Sequence, residues 1–238
     1  MGFAAEFKKF ALKGNVVEIN CLGSGSYGAF TITASITVDC GAGNVGNIVS
    51  STAAGIGINT SAAATIILRH LALDGLGNTN DISGITASPF SSGTLIVEDC
   101  MIHGYRNGAG IIFVPTTGRG LLHVSNSQVF DNTIGITVDP ASGQIASVTL
   151  NRVELVANSG DGLFLGGFGV DAGTMRDSVV GENGINGVFA QAGQVFFTVE
   201  ESSIIDNLTA GVVTKSPGSI VNVASSTIGG NGDRKSVV

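Results

Sequence analysis

The sequence predicts an all-β protein that folds as a parallel β-helix, a solenoid of about eight or nine coils around one continuous core. Three observations predict this fold. A repeat of about 25 residues runs through most of the chain. Each repeat contains three short apolar segments whose side chains alternate with a period of two, as in strands. Finally, the 238 residues include 36 glycines, and only 12% are charged.

The composition excludes several other classes of protein. With 43% apolar residues, the chain is too hydrophobic to be disordered, and the residues that coiled coils favour are scarce. No run approaches the roughly 18 apolar residues of a membrane helix, so we expect no membrane insertion. Eleven Lys plus Arg against eighteen Asp plus Glu give a net charge of -7 with scattered basic residues, which argues against a nucleic-acid partner.

Three tracks of residues define the repeat, and one of them consists of apolar residues: Leu68, Val97, Val124, Leu150, Met175, Val199 and Val223. A glycine followed by an aliphatic residue recurs at Gly55, Gly84, Gly110, Gly135, Gly162, Gly187 and Gly211. An asparagine recurs at Asn132, Asn158, Asn183, Asn207 and Asn231. Stacking the coils places equivalent residues in neighbouring strands about 4.8 Å apart. We expect the asparagines to turn the chain in left-handed backbone angles, with amides that hydrogen-bond from coil to coil.

In chain order, the sequence predicts three segments. Residues 1–14 are a cap over the open end of the solenoid or an added segment, residues 15–232 form the β-helix, and residues 233–238 form a tail. The spacing of Phe3, Phe7 and Phe10 predicts a short amphipathic capping helix over residues 3–12. A membrane-binding helix is the alternative, but the segment is short and weakly basic. The N-terminal residues contain no apolar segment long enough for a secretory signal.

The three cysteines do not have the C-x-x-C spacing of a zinc or redox motif. Cys21 and Cys40 end two strand-like segments, Val16–Cys21 and Ile36–Cys40, which the fold could bring near each other. A disulfide between them and a pair of buried free thiols both remain open. Cys100 has no evident partner in the sequence.

The block Ile19–Leu22 leading into Ile32–Cys40, together with the repeat, resembles right-handed parallel β-helix proteins of the pectate-lyase-like superfamily, and more narrowly a bacterial branch without an established activity. The resemblance covers about residues 15 to 232 and implies an extracytoplasmic or secreted protein. It does not imply one chemistry, because the fold carries lyases, hydrolases, epimerases and adhesins. The polygalacturonase motifs are incomplete, since no Asp-Asp pair accompanies Asn78–Asp81 and His103-Gly104. A Gly-x-Ser-x-Gly motif is also absent.

The best candidate for a catalytic site lies where the repeat is irregular. Asp74 and His103 occupy equivalent positions one coil apart, and two extra residues, Tyr105 and Arg106, follow His103. The next coil places Asp131 one residue further along. Asp74 could orient His103 as a general base, and Arg106 could stabilise negative charge, if all five side chains project from one edge. The alternative is that they are solvated turn residues, as we also interpret His70, which aligns with Asp99, Asn126 and Arg152. His123 falls in an outward strand row, and we interpret it as a solvated residue of that row.

Glu182 and Asp206 continue an acidic row along the same edge, interrupted by Ala157. Such a row could bind sugar hydroxyls, or a hard cation such as Ca²⁺, although no specific motif implies a cofactor. On another strand row, the residues that alternate with inward aliphatics must point outward. These are Ile112, Thr137, Phe164, Phe189 and Val213. This mostly apolar stripe predicts a homo-oligomer, unless a segment of the same chain covers it.

Two functions follow from these observations. The first is a scaffold that binds a glycan or associates with copies of itself. The second is a hydrolase or lyase that acts on a polysaccharide or on a small ester or lactone, through the cluster around His103.

Overall fold

The computed structural model of the protein describes residues 7–11, 17–21, 23–41, 43, 45–191 and 193–232. Within this part of the chain, regular secondary structure consists of 25 β-strands. In chain order they are β1 (Phe7–Ala11), β2 (Val17–Cys21), β3 (Gly25–Gly28), β4 (Phe30–Ile32), β5 (Ile36–Asp39), β6 (Gly46–Val49), β7 (Ile56–Thr60), β8 (Ala64–Arg69), β9 (Leu71–Asn78), β10 (Ile85–Phe90), β11 (Gly93–Glu98), β12 (Met101–Tyr105), β13 (Ala109–Pro115), β14 (Arg119–Phe130), β15 (Ile134–Val138), β16 (Ile145–Val156), β17 (Leu163–Leu165), β18 (Val170–Arg176), β19 (Val179–Gly181), β20 (Asn186–Ala190), β21 (Gln194–Glu200), β22 (Ser203–Ile205), β23 (Ala210–Thr214), β24 (Ile220–Ala224) and β25 (Thr227–Gly229).

From β2 onward, the strands form a parallel solenoid of about eight coils with three faces, which confirms the predicted fold class. The first face stacks β2, β5, β8, β11, the first half of β14 and of β16, β18, β21 and β24. The second face stacks β3, β6, β9, β12, the second half of β14 and of β16, β19, β22 and β25. The third face stacks β4, β7, β10, β13, β15, β17, β20 and β23.

The core lies along the axis, because alternate residues of every face point inward. On the first face, Leu68, Val97, Val124, Leu150 and Met175 occupy one register and are all buried. Neighbouring side chains of one register pack at the strand spacing of about 4.8 Å. The low content of charged residues follows from this arrangement, since three faces share one apolar interior.

The first corner, which joins the first face to the second, turns at a single residue in each of seven successive coils. Each of these residues has the left-handed backbone conformation, with φ between 49° and 53°. We name them the first-corner row: His70, Asp99, Asn126, Arg152, Asp177, Glu201 and Ser225. The corner between the second and third faces also turns at left-handed residues, among them Asp131, Ala157, Glu182 and Asp206, which we name the second-corner row. The third corner returns to the first face through segments of varying length.

The predicted asparagine track forms a buried ladder at the second corner. Asn158 donates from Nδ2 to Oδ1 of Asn183 at 3.0 Å, and its backbone N–H reaches the same oxygen at 3.1 Å. The same pattern continues from Asn132 through Asn231. The expectation that the asparagines themselves take left-handed angles was wrong, since those angles belong to the preceding residues. The reason is that the asparagine side chain points inward to bond along the ladder, while the residue before it makes the turn.

The glycine track lies against this ladder. A Cβ atom placed on Gly162 would come within 2.8 Å of Asn183 Nδ2 and 2.9 Å of the Gly187 carbonyl oxygen. Gly135, Gly187 and Gly211 are confined in the same way. Glycine recurs there because the backbone of each coil approaches the ladder and the next coil too closely for any side chain.

The N-terminal end differs from the prediction of a capping helix over residues 3–12. Residues 7–11 of that segment form β1, which pairs antiparallel with β2 in the register Phe7↔Cys21 to Ala11↔Val17. An added strand satisfies the backbone groups on the open edge of β2 directly, whereas a helix could only cover them. The rest of the predicted helix, and the tail 233–238, lie outside the described residues.

The sequence left the state of Cys21 and Cys40 open, and the two residues form a disulfide with a Cα–Cα distance of 4.4 Å. They follow Asn20 and Asp39, which are register partners in β2 and β5, so the bond joins two neighbouring coils. Cys100 is a buried free thiol. In the part of the chain that the structure describes, no helix is long and apolar enough to cross a membrane.

An acidic residue, Asp171, interrupts the apolar core. Asp171 points inward on β18, in register between Ala146 and Val195, with 1% of its surface exposed. Neither carboxylate oxygen has a hydrogen-bond partner among the described residues. Burial, and then the charge of Asp139, raise the pKa of Asp171 to about 9. The side chain is therefore a neutral carboxylic acid at pH 7.

Candidate functional site

Asp74 and His103 are register partners on the second face, as the sequence predicted. The Nδ1 atom of His103 lies 3.8 Å from Oδ1 of Asp74, which is too long for a hydrogen bond. That oxygen instead accepts the backbone N–H of Leu76 at 2.7 Å, and the imidazole stacks on the ring of Phe130 with centroids 4.9 Å apart. The carboxylate thus stabilises a turn, and it does not hold the imidazole as a general base requires.

Arg106 and Asp131 form a separate pair on the surface. The guanidinium donates from Nη2 to Oδ2 of Asp131 at 2.9 Å and from Nε to both carboxylate oxygens. The pKa of Arg106 is raised by these hydrogen bonds and by the charge of Asp131. Since Asp131 neutralises Arg106, the guanidinium is engaged within the protein rather than free to stabilise charge on a substrate.

Tyr105 does not project from the edge, contrary to the prediction. Its side chain is buried in the core, and its hydroxyl lies 3.0 Å from Oγ of Ser50. Burial raises the pKa of this phenol to about 12. The ring fits inward because Gly55, Gly75 and Gly84 surround it, and a Cβ on each would fall within 3.1 Å of the ring or its hydroxyl.

The acidic row occupies the second corner as predicted. Asp131, Glu182 and Asp206 are turn residues of that corner, separated by Ala157, and the side chains of Glu182 and Asp206 are exposed. No group of three or more potential metal ligands occurs among the described residues. A role for Glu182 and Asp206 in binding substrate therefore stays a prediction.

The outward stripe lies on the third face. Ile112, Thr137, Phe164, Phe189 and Val213 occupy one register there. Phe189 is only 8% exposed, because Phe164 packs edge-on against it at 5.7 Å and the Nζ of Lys215 lies 4.8 Å from its ring centroid. The other four side chains are partly exposed, so the apolar stripe is narrower than the sequence predicted.

A groove of about 480 Å³ runs along the first corner, away from the predicted cluster. One wall consists of four members of the first-corner row: His70, Asp99, Asn126 and Arg152. The floor consists of outward residues of the second face in one register: Ala72, Met101, Gln128 and Glu154. The groove runs parallel to the solenoid axis across four coils. Because four coils are separated by three strand spacings of about 4.8 Å, it is about 14 Å long.

His70 lies between two carboxylates, those of Asp39 and Asp99. Its Nδ1 lies 2.8 Å from Oδ1 of Asp39, and its Nε2 lies 3.8 Å from Oδ2 of Asp99. Partial burial raises the pKa of Asp39, but hydrogen bonds from Gly41 and His70 outweigh that effect and lower it. An ionised Asp39 favours a proton on Nδ1 and leaves Nε2 directed toward Asp99 in the groove.

The remaining wall and floor residues present both donors and acceptors. Arg152 donates from Nε to Oδ1 of Asn126 at 2.6 Å, and Gln128 donates to Glu154 at 2.9 Å. Within the described part of the chain, these contacts leave the terminal guanidinium nitrogens of Arg152 and the amide nitrogen of Asn126 without acceptors. Met101, 40% exposed, supplies an apolar surface between them. Cys100 also lines the groove, but burial raises its pKa to about 12, so it is not a thiolate nucleophile.

A second concavity, of about 790 Å³, lies at the last described coil. Inward residues such as Val221 and Ile228 are only partly covered there, because no described coil follows them. Neither concavity is lined by Asp74, His103 or Arg106. The predicted catalytic residues therefore form separate pairs on the surface, and the groove lies elsewhere.

Neither a protein-family model, a curated protein nor a solved structure matches this chain. The fold assignment therefore rests on the coil geometry described above.

His70 is a turn residue, as the sequence predicts, and it also lines the groove, which the sequence does not predict. His70 aligns in the sequence with Asp99, Asn126 and Arg152. Polar residues at the same corner position of four successive coils are the sequence feature that could have indicated a binding site. What the sequence did not reveal is that the corner is concave and that the outward residues of the second face form its floor.

Proposed function

We propose that this protein is a carbohydrate-binding β-solenoid and that the first-corner groove holds a linear glycan along the solenoid axis. The observation that carries the proposal is the groove itself. It combines an apolar floor at Met101 with hydrogen-bonding groups repeated at the coil spacing. Sugar rings present apolar C–H faces and hydroxyl groups that both donate and accept, so such a groove suits them.

The disulfide supports a location outside the cytoplasm, since disulfides persist in oxidising compartments. An extracytoplasmic binding protein of the pectate-lyase-like superfamily is consistent with the three parallel faces of the coil. Secretion and membership of that superfamily are part of this proposal.

Glycan binding is tested by titrating the full chain with neutral hexasaccharides, cellohexaose and chitohexaose, and by measuring heat or chemical-shift changes. We expect binding that Ala72→Trp abolishes, because an indole at this floor position would fill the groove. Ser203→Trp, at the equivalent outward position of a coil beyond the groove, is the control and should bind as the wild type does. Absence of binding by the wild type, or equal binding by both variants, would contradict the proposal.

A second proposal concerns self-association through the third face. Phe164 and Val213 remain partly exposed within the apolar stripe, which is the observation in its favour. Sedimentation velocity at micromolar concentration should detect an oligomer that Phe164→Ser weakens. A monomeric wild type would contradict it.

The alternative of a hydrolase or lyase has less support. His103 and Asp74 are not hydrogen-bonded to each other, and Arg106 is paired with Asp131. If the protein does turn over a polysaccharide, ester or lactone, the Asp39–His70 pair in the groove offers the better oriented base. Screening the wild type against His103→Ala and His70→Ala would assign any turnover to one position or the other.

A further inference from the structure

Charge in the groove limits which glycans it can hold. The carboxylates of Asp99 and Glu154 line the groove, and Asp39 lies directly behind His70. Arg152 is the one arginine or lysine among the described residues that line it, and the whole chain carries a net charge of -7. A polyanion placed in the groove would therefore meet more negative than positive charge.

Neighbouring charges do not reverse this balance. Arg69, on the adjacent strand β8, is bound to Glu98 at 2.8 Å, and Arg176 beyond the groove is bound to Glu200 at 3.0 Å. Among the described residues, the nearest basic group to the Asp99 carboxylate is the Nε2 of His70, 3.8 Å away, which is too far for a hydrogen bond. Its carboxylate is thus free to accept hydrogen bonds from hydroxyl or ammonium groups of a ligand.

We propose that the groove selects linear glycans without anionic groups, that is, neutral or amino sugars, and excludes polyuronates. This inference rests on the proposed function, since it specifies the ligand of the same groove. A polyuronate lying along the groove would place carboxylates near Asp99 and near Glu154, so it would meet a like charge at two of the four coils it crosses. Each repulsion at a separation of about 4 Å in water weakens binding by about five-fold.

The test uses three end-labelled hexasaccharides of equal length in fluorescence anisotropy with the full chain: cellohexaose, a fully deacetylated chitosan hexamer, and hexagalacturonate. We expect the first two to bind and hexagalacturonate to bind at least ten-fold more weakly. The double variant Asp99→Asn/Glu154→Gln should gain affinity for hexagalacturonate, and the gain should shrink in high salt because salt screens exposed charges.

The control is Asp81→Asn/Glu201→Gln, which removes the same number of negative charges at exposed positions outside the groove. This control separates charge in the groove from the net charge of the molecule, because neither position lines the groove, and it should leave hexagalacturonate binding unchanged. An equal gain in both double variants, or wild-type binding of hexagalacturonate as tight as that of cellohexaose, would overturn the inference while leaving glycan binding intact. Failure of all three sugars to bind would instead overturn the proposed function.

Discussion

Replacing Asp171 should change how the stability of the protein depends on pH. The unfolded chain has an ordinary carboxyl at this position, with a pKa of about 3.9, whereas in the folded protein the pKa is about 9. Between these values the folded state binds one more proton than the unfolded state. Proton binding by Asp171 therefore makes its full contribution to the free energy of unfolding below about pH 4. This contribution declines as the pH rises toward 9.

The size of the effect follows from the two pKa values. Within this window, each pH unit removes about 1.4 kcal/mol, so the contribution of Asp171 falls by about 4 kcal/mol between pH 4 and pH 7. Asp171→Asn and Asp171→Val remove the titration. Relative to the wild type, both should gain stability as pH rises from 4 to 8. Valine also removes the polar atoms that lack partners, and it matches Val195 in the next coil.

The free energy of unfolding of each variant and of the wild type is measured by urea denaturation at pH 4, 5, 6, 7 and 8. The wild-type value at each pH is then subtracted from that of the variant. Taking the difference cancels the titration of groups that do not interact with Asp171. Asp81→Asn, at an exposed position, is the control and should show no comparable trend. A difference for Asp171→Val that stays constant from pH 4 to pH 8 would refute the assignment of a buried neutral acid.

Three further predictions test the ladder, the glycine track and the disulfide. Gly162→Ala should lower the free energy of unfolding by about 1–3 kcal/mol, because its Cβ would collide with the ladder, while Gly28→Ala, which has open space, should change it little in the same urea titration. Asn158→Ala should lower the free energy of unfolding by about 2–5 kcal/mol, because Asn132 and Val129 lose buried hydrogen-bond partners. A loss below about 0.5 kcal/mol would mean that the ladder contributes no net stability. Reduction of the disulfide, whose cysteines are 19 positions apart, should destabilise the N-terminal coils by about 3 kcal/mol, measured with and without reductant, and a Cys21→Ser/Cys40→Ser variant should not respond to reductant.

The coil architecture could be predicted because the same pattern of residues recurs in every coil. The register of Leu68, Val97 and Val124 was visible as a spacing in the sequence, and a stack of parallel strands is the simplest structure in which equal spacings become contacts. The ladder could be predicted for the same reason. Its backbone angles could not, because whether an asparagine or the residue before it makes the turn depends on which of the two points inward.

The candidate site was harder to predict because its residues occur once rather than in every coil. The two extra residues after His103 marked an irregularity, but their number did not show whether Tyr105 would project outward or fold into the core. The Tyr105 side chain points into the core because Gly55, Gly75 and Gly84 leave space for its ring there. The distance of 3.8 Å between Asp74 and His103 likewise depends on rotamers, since equivalent positions in a sheet bring side chains near each other without bonding them.

The three corners differ in how they can change during evolution or engineering. The first corner uses one left-handed residue in each of seven coils, and these residues form the groove wall, so an insertion there would displace the wall. The sheet itself would keep its register, since the longer connection from β5 to β6 leaves Gly46 paired with Leu71. Between the third and first faces, by contrast, the connection ranges from two residues, 91–92, to six residues, 139–144, while the strands on both sides keep their pairing. New loops can therefore be grafted at the third corner, whereas the ligand preference of the groove can be altered only by substitution.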